Sequence, residues 1–283
     1  MGEPPTTNAE HPAGLVFDMP DDEYRDVRAV SYSGLKRILD CPARYRWEQE
    51  NRVEKRAFDF GHIVHAELLG AGLPVHVVDS PDWRSKTARE EAETARASGQ
   101  VPLLAHEYAA ALECVAAVHA HPLAGPMLSH PGSSEVSMFW TDERTGIRCK
   151  ARADRVLETG DGTHWLLDPK TVGRSAQPRA FARDAAGFFY HMQAAFYLDG
   201  YEACTGHPAR FLNIPVEVKP PHLVSVVEFD AEAVDVGRDR YADALDIYRQ
   251  CREAGEWPGY TEALAETISL PRWARPEERR GGQ

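Results

Sequence analysis

A short apolar strand that ends in two opposite charges constrains this chain more than any other feature. Trp165-Leu166-Leu167 lies within His164 to Val172, and Asp168-Pro169-Lys170 follows it directly. A nearly continuous apolar run of this kind is typical of a strand that is buried on both faces of a sheet. Because Lys170 lies two residues beyond Asp168, both side chains project from the same face. The sequence therefore predicts that a central strand delivers a carboxylate and an amine together.

A second acid, Asp154, lies near the end of the preceding predicted strand, Ile147 to Leu157. A turn at Gly160 to Gly162 would make the two strands neighbours, so that Asp154 and Asp168 converge on one cation. Mg²⁺ prefers carboxylate oxygens and keeps several waters, which suits two aspartates better than a closed cage. Taken alone, a DxK triplet occurs by chance in many proteins, and Asp154 could equally form a surface ion pair.

The periodicity along the chain predicts an α+β protein built around one mixed sheet. The predicted helices lie near residues 33–39, 42–47, 58–69, 83–99, 104–120, 180–201 and 231–254. The predicted strands lie near residues 134–140, 147–157, 164–172, 210–218 and 223–229. Ser31 or Ser33 can cap the first helix. Residues 100–102 are predicted as a break, and residues 122–132 as a loop.

Composition argues against several classes of protein. No apolar run approaches the roughly 18 residues of a bilayer span, and residues 1–20 do not resemble a secretory signal. We therefore expect no membrane association and a cytoplasmic location. The five cysteines are scattered without a CxxC pair, which favours reduced, mostly buried thiols over a zinc or iron–sulfur site. The formal net charge of −12 fits a DNA enzyme poorly, although an acidic shell can surround a basic groove.

Five segments resemble, in order, the PD-(D/E)XK nucleases and in particular their exodeoxyribonuclease VIII (RecE-type) branch. These segments are Gly61-His62-Ile63-Val64-His65, Gly146 to Asp154, Asp168-Pro169-Lys170-Thr171, Gln193-Ala194-Ala195-Phe196-Tyr197 and Trp257-Pro258-Gly259-Tyr260. The resemblance spans about residues 30–275. It implies a restriction-endonuclease-like core with a mixed central sheet flanked by helices and an N-terminal helical elaboration. We expect one nuclease domain over residues 29–275, between a flexible arm at 1–28 and a polar tail at 276–283.

The resemblance also implies a divalent cation, Mg²⁺ with Mn²⁺ as a substitute. The implied ligands are His65, Asp154, Asp168 and the carbonyl oxygen of Pro169. His62 competes with His65 because it lies on nearly the same helix face, and the family spacing favours His65. The family usually has a bulky residue in place of Pro169. Since proline lacks a ladder donor, the strand must lie at an edge or leave the sheet there.

Further roles come from the same resemblance. The implied catalytic residues are Asp154, Asp168, Lys170 and Gln193. Gln193 and Tyr197 share a helix face, and in similar enzymes this pair supports the site or contacts DNA. Lys36 and Arg44 could contact a 5′ phosphate, with solvated surface charge as the alternative. Glu135 lies either near the metal or on an ordinary acidic surface, and Tyr190 and His191 are predicted to be packing residues.

These implications together predict a metal-dependent DNA exonuclease that acts from 5′ to 3′ on double-stranded ends, in recombination or phage DNA processing. A single-strand annealing protein as partner and a homo-oligomer follow from the family alone. The first alternative is a CRISPR-associated or AddB-like nuclease, against which the scattered cysteines argue. The second is a catalytically silent DNA-binding or assembly module with the same fold. The third is an unrelated acidic α+β enzyme.

Overall fold

A mixed β-sheet lies at the centre of the computed structural model, which describes residues 13–51, 60–261, 265 and 267–271. In chain order, the elements are β1 (Gly14–Val16), α1 (Asp21–Asp26), β2 (Val30–Ser31), α2 (Tyr32–Asp40), α3 (Pro42–Glu50), α4 (Phe60–Leu69), β3 (Val75–Val78), α5 (Lys86–Ala97), β4 (Val101–Leu104), α6 (Ala105–Ala120), α7 (Ala124–Ser129), β5 (Gly132–Thr141), β6 (Arg148–Glu158), β7 (His164–Val172), α8 (Pro178–Phe188), α9 (Tyr190–Thr205), β8 (Ala209–Glu217), β9 (Val227–Glu228) and α10 (Ala231–Ala254). The predicted α+β plan is confirmed.

The strand order in the main sheet is β1-β5-β6-β7-β8-β9, and β2 pairs additionally with β6. The neighbours β5, β6 and β7 are antiparallel, whereas β7 and β8 run parallel. The sheet is therefore mixed, as predicted. A separate two-stranded parallel sheet is formed by β3 and β4.

The strands β6 and β7 separate partway along their length. β7 pairs with β8 over all of His164 to Val172, but it pairs with β6 only as far as Leu167. Asp168 and Pro169 therefore lie just beyond the point of separation. Because proline has no ladder donor, this position agrees with the expectation that the strand has partly left the sheet there.

The edge of β6 that faces β7 is divided between two partners. Cys149 and Lys150 pair with the short strand β2, and pairing with β7 begins only at Arg155. Asp154 lies between these two stretches, in a gap of the ladder. The sheet is therefore open beside this carboxylate.

Two apolar cores cover the two faces of the sheet. Leu166 belongs to the first core, with residues of α2, α9 and α10, and Leu167 belongs to the second, with residues of α4, α6 and α7. Because successive side chains of a strand point to opposite faces, α9 and α4 pack on opposite sides of β7. By the same alternation, Asp168 points with Leu166 towards α9.

Local sequence explains how several helices begin. Ser31 accepts a hydrogen bond from the backbone N–H of Gly34 at 3.3 Å, which selects it over Ser33 as the cap of α2. Pro42 opens α3, where its missing N–H is not needed. Asp230 caps α10 by accepting from the N–H of Ala233 at 2.8 Å.

The prediction of a flexible arm is wrong for residues 14–26, which form β1 and α1. β1 pairs with β5, and α1 is held by Lys150 of β6. Nζ of Lys150 donates to the carbonyl oxygens of Tyr24, Arg25 and Val27 at 2.8, 3.1 and 2.8 Å. A buried cation far away in the sequence thus orders a polar segment, which local composition cannot reveal. Residues 1–12 and the predicted tail at 276–283 lie outside the described residues, as do residues 58 and 59 of the predicted third helix.

Other local predictions are also wrong. Residues 124–129 form the helix α7 inside the predicted loop. The predicted helix break at 100–102 is confirmed, since α5 ends at Ala97 and α6 begins at Ala105 with β4 between them. The strand predicted over 223–229 reduces to β9 and one bridge between Val216 and Val224. The helix predicted over 180–201 divides into α8 and α9 at Phe189, whose backbone is left-handed with φ of 62°. Such short elements are fixed by their packed neighbours, and their own periodicity carries little signal.

The cysteines are free thiols, and all except the half-buried Cys204 are buried, as their scatter predicts. In the part of the chain that the structure describes, no helix has both the length and the apolarity that crossing a bilayer requires.

We expect Lys150→Met to lower the free energy of unfolding by about 2–3 kcal/mol, because the carbonyl groups at the end of α1 lose a buried charged donor. Urea unfolding followed by circular dichroism measures this change. Lys86→Met is the matched control, since the Lys86 side chain is 86% exposed and its loss should cost less than about 0.5 kcal/mol. Equal effects of the two substitutions would contradict the role of Lys150.

Candidate metal centre

Three side chains from three elements meet beside the gap in β6. His65 comes from α4, Glu135 from β5 and Asp154 from β6, and one ligand atom of each lies within 4.8 Å of the others. Nε2 of His65 lies 2.9 Å from Oδ2 of Asp154, and Nδ1 lies 3.7 Å from Oε1 of Glu135. Imidazole nitrogen and carboxylate oxygen are ligands that divalent cations such as Mn²⁺ accept. These residues therefore form a candidate cation site.

The backbone of Glu135 is left-handed within β5, with φ of 53°. Its neighbours remain in register, since Ser134 pairs with Arg155 and Val136 with Ala153, so that Glu135 lies opposite Asp154. A left-handed residue other than glycine costs about 1–2 kcal/mol. Strain of this kind persists where the surrounding structure imposes it, often at functional sites. Of the two readings that the sequence leaves open, the geometry favours a position at the candidate centre over an ordinary acidic surface.

The two carboxylates determine the charge of His65. Burial alone lowers the pKa of the imidazole, but the charge of Asp154, its hydrogen bond and the charge of Glu135 raise this pKa to about 9. Burial and the charge of Asp154 raise the pKa of Glu135 as well. The imidazolium thus supplies positive charge between two carboxylates, at the place where a divalent cation would supply it.

Asp168 and Lys170 form a buried ion pair on the α9 side of the sheet. Oδ2 of Asp168 lies 2.6 Å from Nζ of Lys170, and Oδ1 accepts a hydrogen bond from Nε2 of Gln193 at 3.0 Å. Apart from this charged contact, Oδ2 has no hydrogen-bond partner among the described residues. Asp168 is only 3% exposed, so this oxygen is a buried acceptor that a bound cation would satisfy.

The charges of the two halves of the site act on one another. Burial raises the pKa of Asp168, Lys170 lowers it in part, and Asp154 raises it again, with a rise as the net result. Burial lowers the pKa of Lys170, but the carboxylates of Asp168 and Asp154 outweigh burial and keep this pKa above its usual value. The amine therefore stays charged, and the carboxylates on the two strands interact across the gap.

The structure brings together only part of the predicted ligand set. His65 and Asp154 belong to the cluster within 4.8 Å, where Glu135 is the third member. Asp168 is bound instead to Lys170 and Gln193. That Asp154 and Asp168 bind the same cation stays a prediction.

Two further predictions concern the metal ligands. Pro169 lies in register with Ile214 of β8, and a ligand role of its carbonyl oxygen stays a prediction. His62, the competitor of His65, is exposed, and no contact among the described residues joins it to Asp154 or Glu135. The geometry therefore favours His65 as the histidine of the site.

Gln193 connects Asp168 to the interior of the fold. Besides its bond to Asp168, its side chain lies close enough to the phenol of Tyr197 to lower the pKa of that group in part. The ring of Tyr197 meets that of Phe211 edge-on, with centroids 6.0 Å apart. Burial raises the pKa of Tyr197 well above its usual value, so the phenol stays neutral. This geometry favours a supporting role, and a DNA contact by Tyr197 stays a prediction.

The two predicted phosphate contacts differ in their relation to the site. Nζ of Lys36 donates to the carbonyl oxygen of Phe188 at 3.0 Å, and burial together with the charge of Lys170 lowers its pKa. Lys36 therefore lies near the buried amine. Arg44 pairs with Asp40 at 2.8 Å and lies over the ring of Tyr260, on the surface of α3.

Sequence reasoning assigned no role at the site to Arg152 and Asn213, and it assigned only packing to Tyr190. The ring centroid of Tyr190 lies 4.5 Å from Nζ of Lys170. Nε of Arg152 lies 3.9 Å from Oε2 of Glu135, and its position two residues before Asp154 on one strand was the available signal. Asn213 pairs in register with Asp168 and is fully buried, and its amide atoms have no hydrogen-bond partner in the described parts of the chain.

Comparison with known proteins gives a family and a fold. Residues 31–269 match a family model described as a PDDEXK-like domain of unknown function (DUF3799). Among solved structures, a candidate exonuclease from Eubacterium rectale aligns with a TM-score of 0.59 at 13% identity, over 90% of this chain and 96% of that one. SSO0001 aligns with a TM-score of only 0.29 at 15% identity, over 66% of this chain and 84% of its own. No curated protein matches the sequence. The family match and the first structure confirm the predicted restriction-endonuclease-like fold.

We expect His65→Ala to weaken Mn²⁺ binding by at least about tenfold, because it removes a nitrogen ligand from the cluster. Isothermal titration calorimetry measures the dissociation constant without any need for activity. His62→Ala is the matched control one helical turn away and should leave binding within about twofold. A larger loss for His62→Ala than for His65→Ala would reverse the assignment.

Proposed function

The chain belongs to the family of PDDEXK-like domains described as DUF3799, and from this premise we propose that it is a metal-dependent DNA exonuclease. The main support is the convergence of His65, Glu135 and Asp154 within 4.8 Å. The buried ion pair of Asp168 and Lys170 lies beside them, where two strands of the sheet separate. A cation site next to a charged amine is an arrangement suited to an attack on a phosphodiester.

The cation is proposed to be Mg²⁺, with Mn²⁺ as a substitute. His65, Glu135, Asp154 and Asp168 would hold it, since carboxylate oxygens are ligands that both Mg²⁺ and Mn²⁺ favour. When bound, the ion makes a coordinated water more acidic and offsets negative charge on the phosphate. Arg152, 3.9 Å from Glu135, would hold that carboxylate in place.

Lys170 would act on the reacting atoms. Its amine stays charged because Asp168 and Asp154 raise its pKa. From its place beside Asp168, it would orient the attacking water or stabilise the charge of the phosphate. Gln193 would fix Asp168 through Oδ1 and leave Oδ2 for the cation and the amine. In-line attack of water on phosphorus would break the P–O3′ bond and leave a 5′-phosphate.

We further propose that the substrate is a double-stranded DNA end, degraded from 5′ to 3′ by an enzyme of the RecE type in the cytoplasm. The support is the order of the five sequence segments, which runs to Trp257-Pro258-Gly259-Tyr260. Recombination or phage DNA processing would be the setting, with a single-strand annealing protein as partner and a homo-oligomer as the working form. Lys36, Arg152 and Lys170 supply local positive charge in a chain whose net charge is −12.

The decisive assay incubates the full chain with linear duplexes labelled at either end and with covalently closed circles, with and without Mg²⁺. We expect the linear DNA alone to be degraded, only with the cation, and with loss of the 5′ label first. Cleavage of closed circles would point to an endonuclease instead. Binding of DNA without cleavage in Mg²⁺ or Mn²⁺ would favour a catalytically silent module with the same fold.

We expect Lys170→Ala and Asp168→Ala to separate chemistry from metal binding. Lys170→Ala should reduce cleavage at least about 100-fold and retain Mn²⁺ binding, because it removes charge stabilisation but no ligand. Asp168→Ala should lose both, as calorimetry with Mn²⁺ would measure. Asp168→Asn keeps the volume of the side chain and serves as the second variant if the alanine protein unfolds. Cleavage retained by Lys170→Ala would remove this residue from the mechanism.

A further inference from the structure

An exposed aromatic side chain lies beside the site and has no part in holding the cation. Phe188 ends α8 and is 52% exposed. Phe189 follows in the left-handed region, and Tyr190 begins α9. The left-handed Phe189 thus separates α8 from α9 within a run of three aromatic residues. Local conflicts between sequence and structure concentrate at functional positions.

Hydrogen bonds hold the backbone of this corner. Oη of Tyr32 donates to the carbonyl oxygens of Phe188 at 2.9 Å and of Phe189 at 3.1 Å. Nζ of Lys36 donates to the same oxygen of Phe188 at 3.0 Å. Two side chains of α2 therefore fix the corner, and the exposed ring projects from a backbone that is well anchored. An aromatic ring that is already held in place loses little conformational entropy when it binds a planar ligand.

A line of contacts joins this ring to the buried amine of the site. The centroids of the Phe188 and Tyr190 rings are 5.6 Å apart, and Nζ of Lys170 lies 4.5 Å from the centroid of Tyr190. Nζ of Lys36 lies 5.6 Å from the centroid of Phe188. The exposed ring is therefore two contacts away from Lys170, with the ring of Tyr190 between them.

Three cationic side chains lie around the corner, where Asp168 pairs with Lys170 and the charge of Asp184 also acts on Tyr190. Lys36 and Lys170 flank the rings of Phe188 and Tyr190, and the guanidinium of Arg240 lies 5.8 Å from the centroid of Phe189. Proteins that bind single strands combine positive charge for the phosphates with aromatic rings on which bases stack. A protein partner would be expected to need a broader apolar patch than one ring between cations.

We propose that Phe188 is a stacking platform for the nucleobase next to the scissile phosphate, so that the site binds the end nucleotide in an unpaired state. Lys36 faces the phosphate of the same strand. The inference rests on the proposed nuclease function and adds to it a residue that contacts the substrate. It also accounts for the helix break at Phe189, beside which Phe188 is exposed and the ring of Tyr190 contacts Lys170.

Binding without turnover tests this platform. Ca²⁺ replaces Mg²⁺, and the probes are a frayed-end duplex with 2-aminopurine as the end base and the same duplex with an abasic end nucleotide. We expect Phe188→Leu to bind the first probe about tenfold more weakly, the loss of one base–aromatic stack, and to lose the quenching of its fluorescence. The wild-type protein should bind the abasic probe with a similar loss, whereas Phe188→Leu should show no further loss. Phe188→Trp should restore both affinity and quenching.

The control for exposed aromatic surface is Trp47→Leu. Trp47 is 57% exposed on α3, and no contact in the described ranges joins it to the site. Its substitution should change neither affinity nor quenching. If the wild-type protein cuts linear DNA while Phe188→Leu binds and quenches as the wild type does, the platform is refuted and the nuclease proposal stands. A wild-type protein that neither binds nor cuts DNA would overturn the nuclease proposal, and the platform with it.

Discussion

The stability of the fold depends on the positive side chains that neutralise three carboxylates beside the opening between β6 and β7. An ionised carboxylate that leaves water is costly unless an opposite charge or several donors meet it. Asp154 is met by His65 from the helix on one face, and Asp168 by Lys170 from its own strand. Glu135 lies 3.9 Å from the guanidinium of Arg152, which comes from the neighbouring strand β6. The carboxylates gather where β6 separates from β7. The positive side chains that neutralise them, His65, Lys170 and Arg152, come from different elements of the fold.

That constraint also reconciles an acidic chain with the polyanionic substrate that we propose for it. Net charge acts over distances that salt screens, whereas the field at a site is set by the nearest groups. Lys36, Lys170 and Arg240 surround the corner between α8 and α9. The net charge of the chain is therefore only weak evidence against a negatively charged substrate.

Sequence reasoning succeeded where one short segment contained the whole signal. The apolar run before Asp168 identified the central strand, and the spacing of Lys170 placed both charges on one face, as the structure has them. It failed where the cause lay far along the chain. No local pattern could reveal that Lys150 orders α1, or that hydrogen bonds from Tyr32 and Lys36 accompany a left-handed residue between two helices. Glu135 remained ambiguous for the same reason, since its neighbours come from α4 and β6.

The docking of α1 has a consequence for the order in which the molecule is assembled. β1 and α1 are synthesised before their partners β5 and Lys150, which follow more than 100 residues later. Contacts between distant parts of a chain form slowly because a long loop must close first. The segment of β1 and α1 must therefore wait, unpaired, until these central strands have been synthesised. The edge of the sheet that β1 forms is completed only after β5 is in place.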